Sequence, residues 1–349
     1  MLRIGISGLG RMGKFHLSTY EKLMRDGYPI KVVAICDVEK NKLEGKDSAI
    51  VNLVENEGQP KTNLSDYAHY TSLDEMLKKE DLDYVDIVMP TYLHCEAAIK
   101  VLESGRNCFC EKPMAINQED CQKMIDAAHK AGKQLIIGHC LRFWPEYVYL
   151  KQIVVNKTYG GVNGGYFWRG GYQDHETSGS WQNWIIKREK GGGALCDQHV
   201  HDIDVINWIF GMPQGVSTIG KTTFPGSAYD IVNTNYIYDD RKTITAIDDT
   251  AYKGVGFTYG YKVDLEDACI LYENGKLTVY PHKKPSFSPD ISIYGPSLDA
   301  YYNELAYYTT CVDNGFICDR IPLESSKEAI RITNAEMRSA DKNGVLELV

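Results

Sequence analysis

Through the first 140 residues, short apolar runs alternate with amphipathic stretches of helical period. Leu2 to Ser7, Lys31 to Asp37, Tyr84 to Met89, Asn107 to Glu111 and Gln134 to Gly138 are nearly continuous runs of the kind a strand covered on both faces requires. Between them, His94, Ala97, Ala98, Val101 and Leu102 fall at helical spacing and stop at Gly105. Cys121, Met124, Ile125 and Ala128 do the same between an Asn117 cap and Gly132. Strands that alternate with helices must pair in parallel through crossovers, so this part predicts an α/β, doubly wound parallel sheet.

From about Gly160 the texture shifts to alternation rich in Tyr, Thr and Val, broken by turns such as Glu273-Asn274-Gly275. Val216 to Thr223, Ile231 to Tyr238, Thr243 to Ala251 and Ala268 to Tyr280 read as strands of an open-faced, mostly antiparallel sheet. Helices are expected over Leu298 to Asn314 and Ser325 to Lys342, the second ended by Asn343-Gly344. At ~150 residues per domain, 349 residues imply about two domains. The expected division is 1–125 for the parallel α/β domain and 126–349 for an α+β domain, with the final helix able to pack back on the first.

Composition narrows the function classes. A net charge of −9, with no basic tail, argues against a nucleic-acid or anionic-membrane partner. The apolar runs are far shorter than the ~20 residues that cross a bilayer. The opening Met1-Leu2-Arg3-Ile4-Gly5-Ile6 enters a strand pattern without the parts of a signal peptide, which gives a cytoplasmic expectation. Ten cysteines form no CxxC and fall in apolar segments, so they read as reduced, packed thiols rather than a zinc ribbon or disulfide framework.

Gly8-Leu9-Gly10-Arg11-Met12-Gly13 follows the first strand and opens a helix. Gly8 permits the tight turn, Gly10 lets the backbone approach a pyrophosphate, Gly13 lets helix and strand pack, and the helix N-terminus offers free N–H groups to an anion. Asp37, 24 residues past Gly13, ends the second strand where a carboxylate accepts ribose hydroxyls and repels a 2′-phosphate. The cofactor expected is NAD, with NADP left open because Lys40 and Lys42 can neutralise a phosphate.

Further motifs resemble the glucose-fructose oxidoreductase, inositol dehydrogenase and MocA (Gfo/Idh/MocA) group of sugar and polyol dehydrogenases. Pro90-Thr91-Tyr92-Leu93-His94 looks like the family's segment after the fourth strand, and Glu111-Lys112-Pro113 matches its Glu-Lys-Pro signature. Arg142-Phe143, then Gly191-Gly192-Gly193 with Asp197 and His201, follow in family order. His199 stands where many members have glycine. The resemblance implies a Rossmann domain followed by an open-faced sheet domain, a substrate pocket between them, and NAD(P)-dependent oxidation of a secondary alcohol or its reverse. It implies cofactor contacts by Gly8, Gly10, Arg11, Met12, Gly13, Asp37, Pro90, Thr91, His94, Glu111 and Lys112. It makes Lys112 a residue near nicotinamide and substrate hydroxyl, His201 the proton-transfer residue, and Asp197 a substrate-binding and orienting carboxylate.

The chemistry of the residues agrees. Loss of hydride from a carbinol carbon leaves an oxygen that must shed its proton, and histidine suits that task near neutral pH. A cation at the same oxygen stabilises developing alkoxide, a role open to Lys112 at the end of an apolar strand. His199, His201 and the nearby carboxylates invite a rival reading as a metal site. If Leu195 to Phe210 is one helix at ~100° per residue, Asp197, His201, Asp204 and Trp208 share one face and His199 the opposite one, so the histidines cannot chelate one ion. No metal is expected.

An aromatic face beside polar groups suits a sugar or cyclitol, whose CH faces stack while its hydroxyls bond. Arg142, Trp168, Tyr172, Asp174, His175 and Trp181 are the candidate substrate residues, part of the cluster being core. Two alternatives to a dehydrogenase stay open: an NAD-dependent glycoside hydrolase of the same fold, and a catalytically silent NAD- or sugar-sensing protein. The open sheet face predicts a homodimer or homotetramer through the second domain.

Overall fold

The structure, a computed structural model, describes residues 1–46, 63–172 and 181–349. The elements begin β1 (Leu2–Ser7), α1 (Arg11–Arg25), β2 (Ile30–Cys36), α2 (Lys40–Leu43), β3 (Ala68–Tyr70), α3 (Leu73–Lys79) and β4 (Tyr84–Ile87). They continue α4 (His94–Glu103), β5 (Asn107–Glu111), α5 (Gln118–Ala131), β6 (Leu135–Gly138), α6 (Pro145–Val155), β7 (Val162–Gly170), α7 (Gly193–Asp197) and α8 (Val200–Phe210). The rest are β8 (Gly215–Lys221), β9 (Ile231–Ile237), β10 (Thr243–Asp249), β11 (Thr258–Leu265), β12 (Ala268–Glu273), β13 (Lys276–Pro281), α9 (Ala300–Asn314), α10 (Leu323–Asp341) and β14 (Glu347–Leu348). No described helix is long and apolar enough to cross a membrane.

The chain divides into two compact units. One comprises Met1–Ala115, Glu119–Gly138 and Tyr301–Glu324; the other Ile116–Gln118, His139–Ala300 and Ser325–Val349. The boundary expected after residue 125 falls inside α5, which stays with its strand β6 in the first unit. The helix that joins the first unit from far along the chain is α9, not the final helix. Its Tyr308 packs edge-on to Tyr84 and Phe109, at 5.0 and 5.6 Å between ring centres, an aromatic seam that periodicity along the chain does not reveal.

The first unit is a parallel sheet in the order β3-β2-β1-β4-β5-β6. Strand order reverses between β1 and β4, and ligands of open α/β sheets bind outside the carboxyl ends of strands at that switch point. Ile4, Ile6, Val85, Ile87 and Phe109 are buried in its centre, which is why these strands carry almost unbroken apolar runs.

The second unit is an eight-stranded sheet, β13-β12-β11-β7-β10-β9-β8-β14. All its pairings are antiparallel except β7 with β10. On β7, Phe167 and Arg169 are buried, whereas Tyr166 is 43% exposed on the other face. Arg169 bonds Asp202 of α8, so the helices cover the Phe167 side and leave the Tyr166 side open.

Candidate functional site

The glycine turn sits at the switch point of the first sheet. Gly8 has φ +104°, and a Cβ there would lie 2.2 Å from the Val88 carbonyl oxygen. A Cβ at Gly13 would lie 1.8 Å from the Gly8 carbonyl oxygen, so strand, turn and helix meet at backbone distance. Gly10 has open space around it, and no side chain caps the N-terminus of the 15-residue α1, whose first N–H groups remain for an anion. Asp37 is buried at the end of β2; its Oδ2 accepts the Leu9 N–H at 2.8 Å and its Oδ1 the Glu39 N–H at 2.9 Å. Lys42 pairs with Glu39 at 2.6 Å and lies 3.7 Å from Asp37, which ties up one of the two lysines that could serve a 2′-phosphate. An open glycine backbone, an uncapped helix and a carboxylate with unused lone pairs fit NAD.

Beyond β4 and β5 the motif residues divide by depth. Pro90 precedes the helical turn Thr91–Leu93, and Thr91 is buried. His94, expected to face the cofactor, is instead buried, with Nδ1 2.8 Å from the Pro113 carbonyl oxygen and Nε2 2.8 Å from that of Met89. Glu111, also expected there, is turned inward: its Oε2 accepts the Lys112 N–H at 3.0 Å and its Oε1 lies 3.1 Å from His16 Nε2. Both residues are committed to the chain itself, because a side chain adjoining a ligand-binding turn can serve its inner side. Lys112, their neighbour, is partly exposed at the carboxyl end of β5.

In the second unit the three-glycine run leads into α7. Gly193 has φ +70°, and a Cβ there would lie 2.7 Å from the Tyr229 carbonyl oxygen, so only glycine brings the helix start this close to its neighbour. The single helix expected over Leu195 to Phe210 is broken: α7 ends at Asp197 and α8 begins at Val200. Polar anchors flank the break. Gln198 Nε2 donates to Asp248 Oδ1 at 3.0 Å, His199 Nε2 lies 3.2 Å from Glu336 Oε2, and Arg169 donates to both Asp202 oxygens at 3.0 and 3.2 Å. Asp197 and His201, between these anchors, are only partly buried.

His199 itself is fully buried; burial disfavours its charge, but Glu336 prevails and raises its pKa. Burial pushes the Asp248 carboxyl well above its usual range. His199, Asp202 and Asp248 bring potential ligand atoms within 4.8 Å of one another, but the Arg169 guanidinium already supplies a cation to Asp202.

The candidate substrate residues fare unevenly. Arg142, 1% exposed, is not offered to a ligand: Nε and Nη2 bond the two Asp204 oxygens at 2.9 and 2.7 Å, and Nη2 also bonds Ser325 Oγ at 2.5 Å. This pairing buries Asp204 too, although it stands three residues past His201 on the same helix. Trp168 stacks on Tyr166 with centres 5.6 Å apart on the open sheet face, opposite the helices that carry Asp197 and His201. Tyr172 is exposed beyond the end of β7, tilted against Phe224 at 6.3 Å. Asp174 and His175 lie outside the described residues, as does the side chain of Trp181, which opens the helical turn Trp181–Ile186.

Sequence reasoning missed His16, Asp86, Gln198 and Glu336, which anchor the motif residues from beneath. The one available signal was a carboxylate, Asp86, inside an apolar strand run.

Residues 2–139 match the oxidoreductase family with NAD-binding Rossmann fold, GFO/IDH/MocA, and residues 147–270 match the GFO/IDH/MocA C-terminal domain. The chain belongs to the GFO/IDH/MocA family. Among relatives, a 2,7-anhydro-N-acetylneuraminate hydratase of Mediterraneibacter gnavus is 32% identical over 178 residues, 49% of this chain and 46% of that protein. Inositol 2-dehydrogenase of Salmonella typhimurium is 28% identical over 209 residues, 60% and 54% of the two chains. The chain thus spans about half the length of the curated relatives it matches. The WlbA dehydrogenase of Bordetella pertussis, solved with NADH and UDP-GlcNAcA, has a TM-score of 0.84 at 19% identity, covering 100% of this chain and 97% of that one. That likeness shows a shared fold over the whole chain.

Proposed function

We propose that the protein is an NAD-dependent dehydrogenase or reductase of a secondary alcohol on a sugar, cyclitol or related polyol. One observation carries the reading: in both units the motif's polar residues are sorted by depth. Glu111 and His94 are buried behind a partly exposed Lys112, and His199 and Asp202 behind a partly exposed Asp197 and His201. The relatives named for inositol and for a sugar nucleotide complex support the substrate class.

Bound NAD would supply the acceptor for the hydride of the carbinol carbon. Lys112 stabilises the negative charge that grows on the substrate oxygen as hydride leaves, and polarises the carbonyl in the reverse direction. His201 takes the hydroxyl proton, leaving ketone and one released proton for each NAD reduced. Asp197 orients the substrate or the imidazole. Arg11 and Met12, with the three glycines, would hold the pyrophosphate at the α1 N-terminus, and Pro90 and Thr91 would meet the cofactor beyond the end of β4. Tyr172 remains a candidate substrate contact, with Asp174, His175 and Trp181.

The test is a screen of sugars and cyclitols with NAD and NADP, followed by absorbance of the reduced cofactor. Turnover with a polyol and preference for NAD are expected; cofactor binding without turnover on any alcohol favours a sensing protein instead. The relative named as a hydratase favours a second reading, in which oxidation is transient, no net NADH accumulates and a glycosidic or anhydro linkage is opened. A nitrophenyl glycoside cleaved with no change in cofactor absorbance identifies it.

We further infer a homodimer or homotetramer through the open face of the second sheet. Tyr166, Ile219, Ile237 and Tyr280, at 43, 57, 39 and 46% exposure, crowd that face. Light scattering checks it, and a monomeric protein contradicts it.

A further inference from the structure

The first unit buries two histidines that the proposed reaction does not use, and both end at the same turn. His16 lies on α1, three residues past Gly13, and is fully buried. Its Nδ1 is 2.8 Å from Asp86 Oδ2 and its Nε2 3.1 Å from Glu111 Oε1. Burial opposes its charge, but the Asp86 and Glu111 carboxylates outweigh burial and push its pKa up to about 10. Burial works against the Glu111 charge as well, yet His16 and Lys112 hold this carboxylate below its ordinary range.

Two further observations concern the surroundings of this carboxylate and of the Lys112 backbone. Gly138 faces Glu111 across the β5–β6 pairing, and a Cβ there would lie 2.9 Å from Glu111 Oε1. The neighbouring strand therefore keeps open the space into which the carboxylate folds. One residue past Lys112, the Pro113 carbonyl oxygen meets His94 Nδ1 at 2.8 Å. The Lys112 N–H is thus taken by Glu111, and the next carbonyl by a second buried histidine.

We propose that His16 is a positioning residue for Lys112: it fixes the Glu111 carboxylate, which fixes the Lys112 N–H, while His94 holds the Pro113 carbonyl on the other side. The significance of this bracket rests on the reading of Lys112 as the polarising cation. Helix α1 then has two tasks. Its first turn receives the pyrophosphate, and its second turn, through His16, sets the backbone from which the lysine departs. One rigid element registers the lysine against the cofactor-binding loop.

The test uses His16→Gln and, separately, Gly138→Ala, whose added methyl crowds the same carboxylate while His16 and Asp86 stay intact. Folding is followed by circular dichroism, NADH affinity by fluorescence titration, and lysine reactivity by trace acetylation with acetic anhydride read by mass spectrometry. Lys112 should be labelled several-fold faster in both variants, with exposed Lys78 unchanged and NADH affinity within a few-fold of the parent. Unchanged Lys112 labelling in folded His16→Gln overturns the proposal, and if that variant does not fold, Gly138→Ala decides it by the same criterion. Failure of the functional reading shows elsewhere, as retained turnover in Lys112→Met, and does not alter the labelling result.

Discussion

Asp37 accepts the backbone N–H of Leu9 at 2.8 Å, so the acidic end of β2 is fastened to the glycine turn that follows β1. The carboxylate therefore has two tasks, shaping the turn and, with its remaining lone pairs, accepting ribose hydroxyls. Asp37→Ser should weaken NAD binding by about 1.5 to 3 kcal/mol, the contribution of a charge-assisted hydrogen bond, and narrow any preference over NADP. Titration with both cofactors checks this, and unchanged affinities would remove Asp37 from the site.

Arg142 and Asp204 form a buried pair, and breaking one partner leaves the other charge uncompensated. Arg142→Met should cost about 3 to 5 kcal/mol of stability, with turnover per folded molecule nearly intact. Urea denaturation and steady-state kinetics together separate this from a substrate-binding role, which would raise KM at unchanged stability.

His201→Asn should preserve folding and nucleotide binding while lowering kcat by about 10² to 10⁴, the usual worth of general acid–base catalysis. His199→Asn should do the reverse, because it leaves Glu336 buried beside a neutral amide. Melting temperature and kcat on both variants settle which histidine moves the proton; an essential His199 would invert the assignment.

His16 carries a pH signature. Its pKa is raised from an ordinary 6.5 to about 10, so its stabilising contribution is complete below about 6.5 and is lost as pH rises towards about 10. The stability difference between the parent and His16→Gln should therefore be largest in mild acid and shrink across that interval. Urea midpoints measured at several pH values test it, and a difference that grows with pH would mean the ring is neutral in the folded protein.

What was legible in the sequence was local. The glycine turn, Asp37 and the five main strands of the first sheet declare themselves because strand, turn and helix are contiguous there. Strand β3, only three residues long, is too short to show a period, and β7 is defined by its long-range pairing with β10 and β11. The attachment of α9 to the first unit rests on Tyr308 meeting Tyr84, residues more than 200 apart in the chain. At the second unit's candidate site, the helical phase set His199 apart from His201, and His199 is indeed buried while His201 is partly exposed. That Arg142, His94 and Glu111 are buried and paired was not legible, because a polar side chain paired inside the protein leaves the same letter as one that meets a ligand.

The central claim is that Lys112 is the cation at the reacting oxygen, and Lys112→Met tests it most directly because the stem's length and apolar character are kept while the charge is lost. With a polyol found by the screen, kcat should fall by roughly a hundredfold or more while NADH affinity, titrated in parallel, is largely kept. Turnover within a few-fold of the parent, at undiminished NADH binding, would contradict the account.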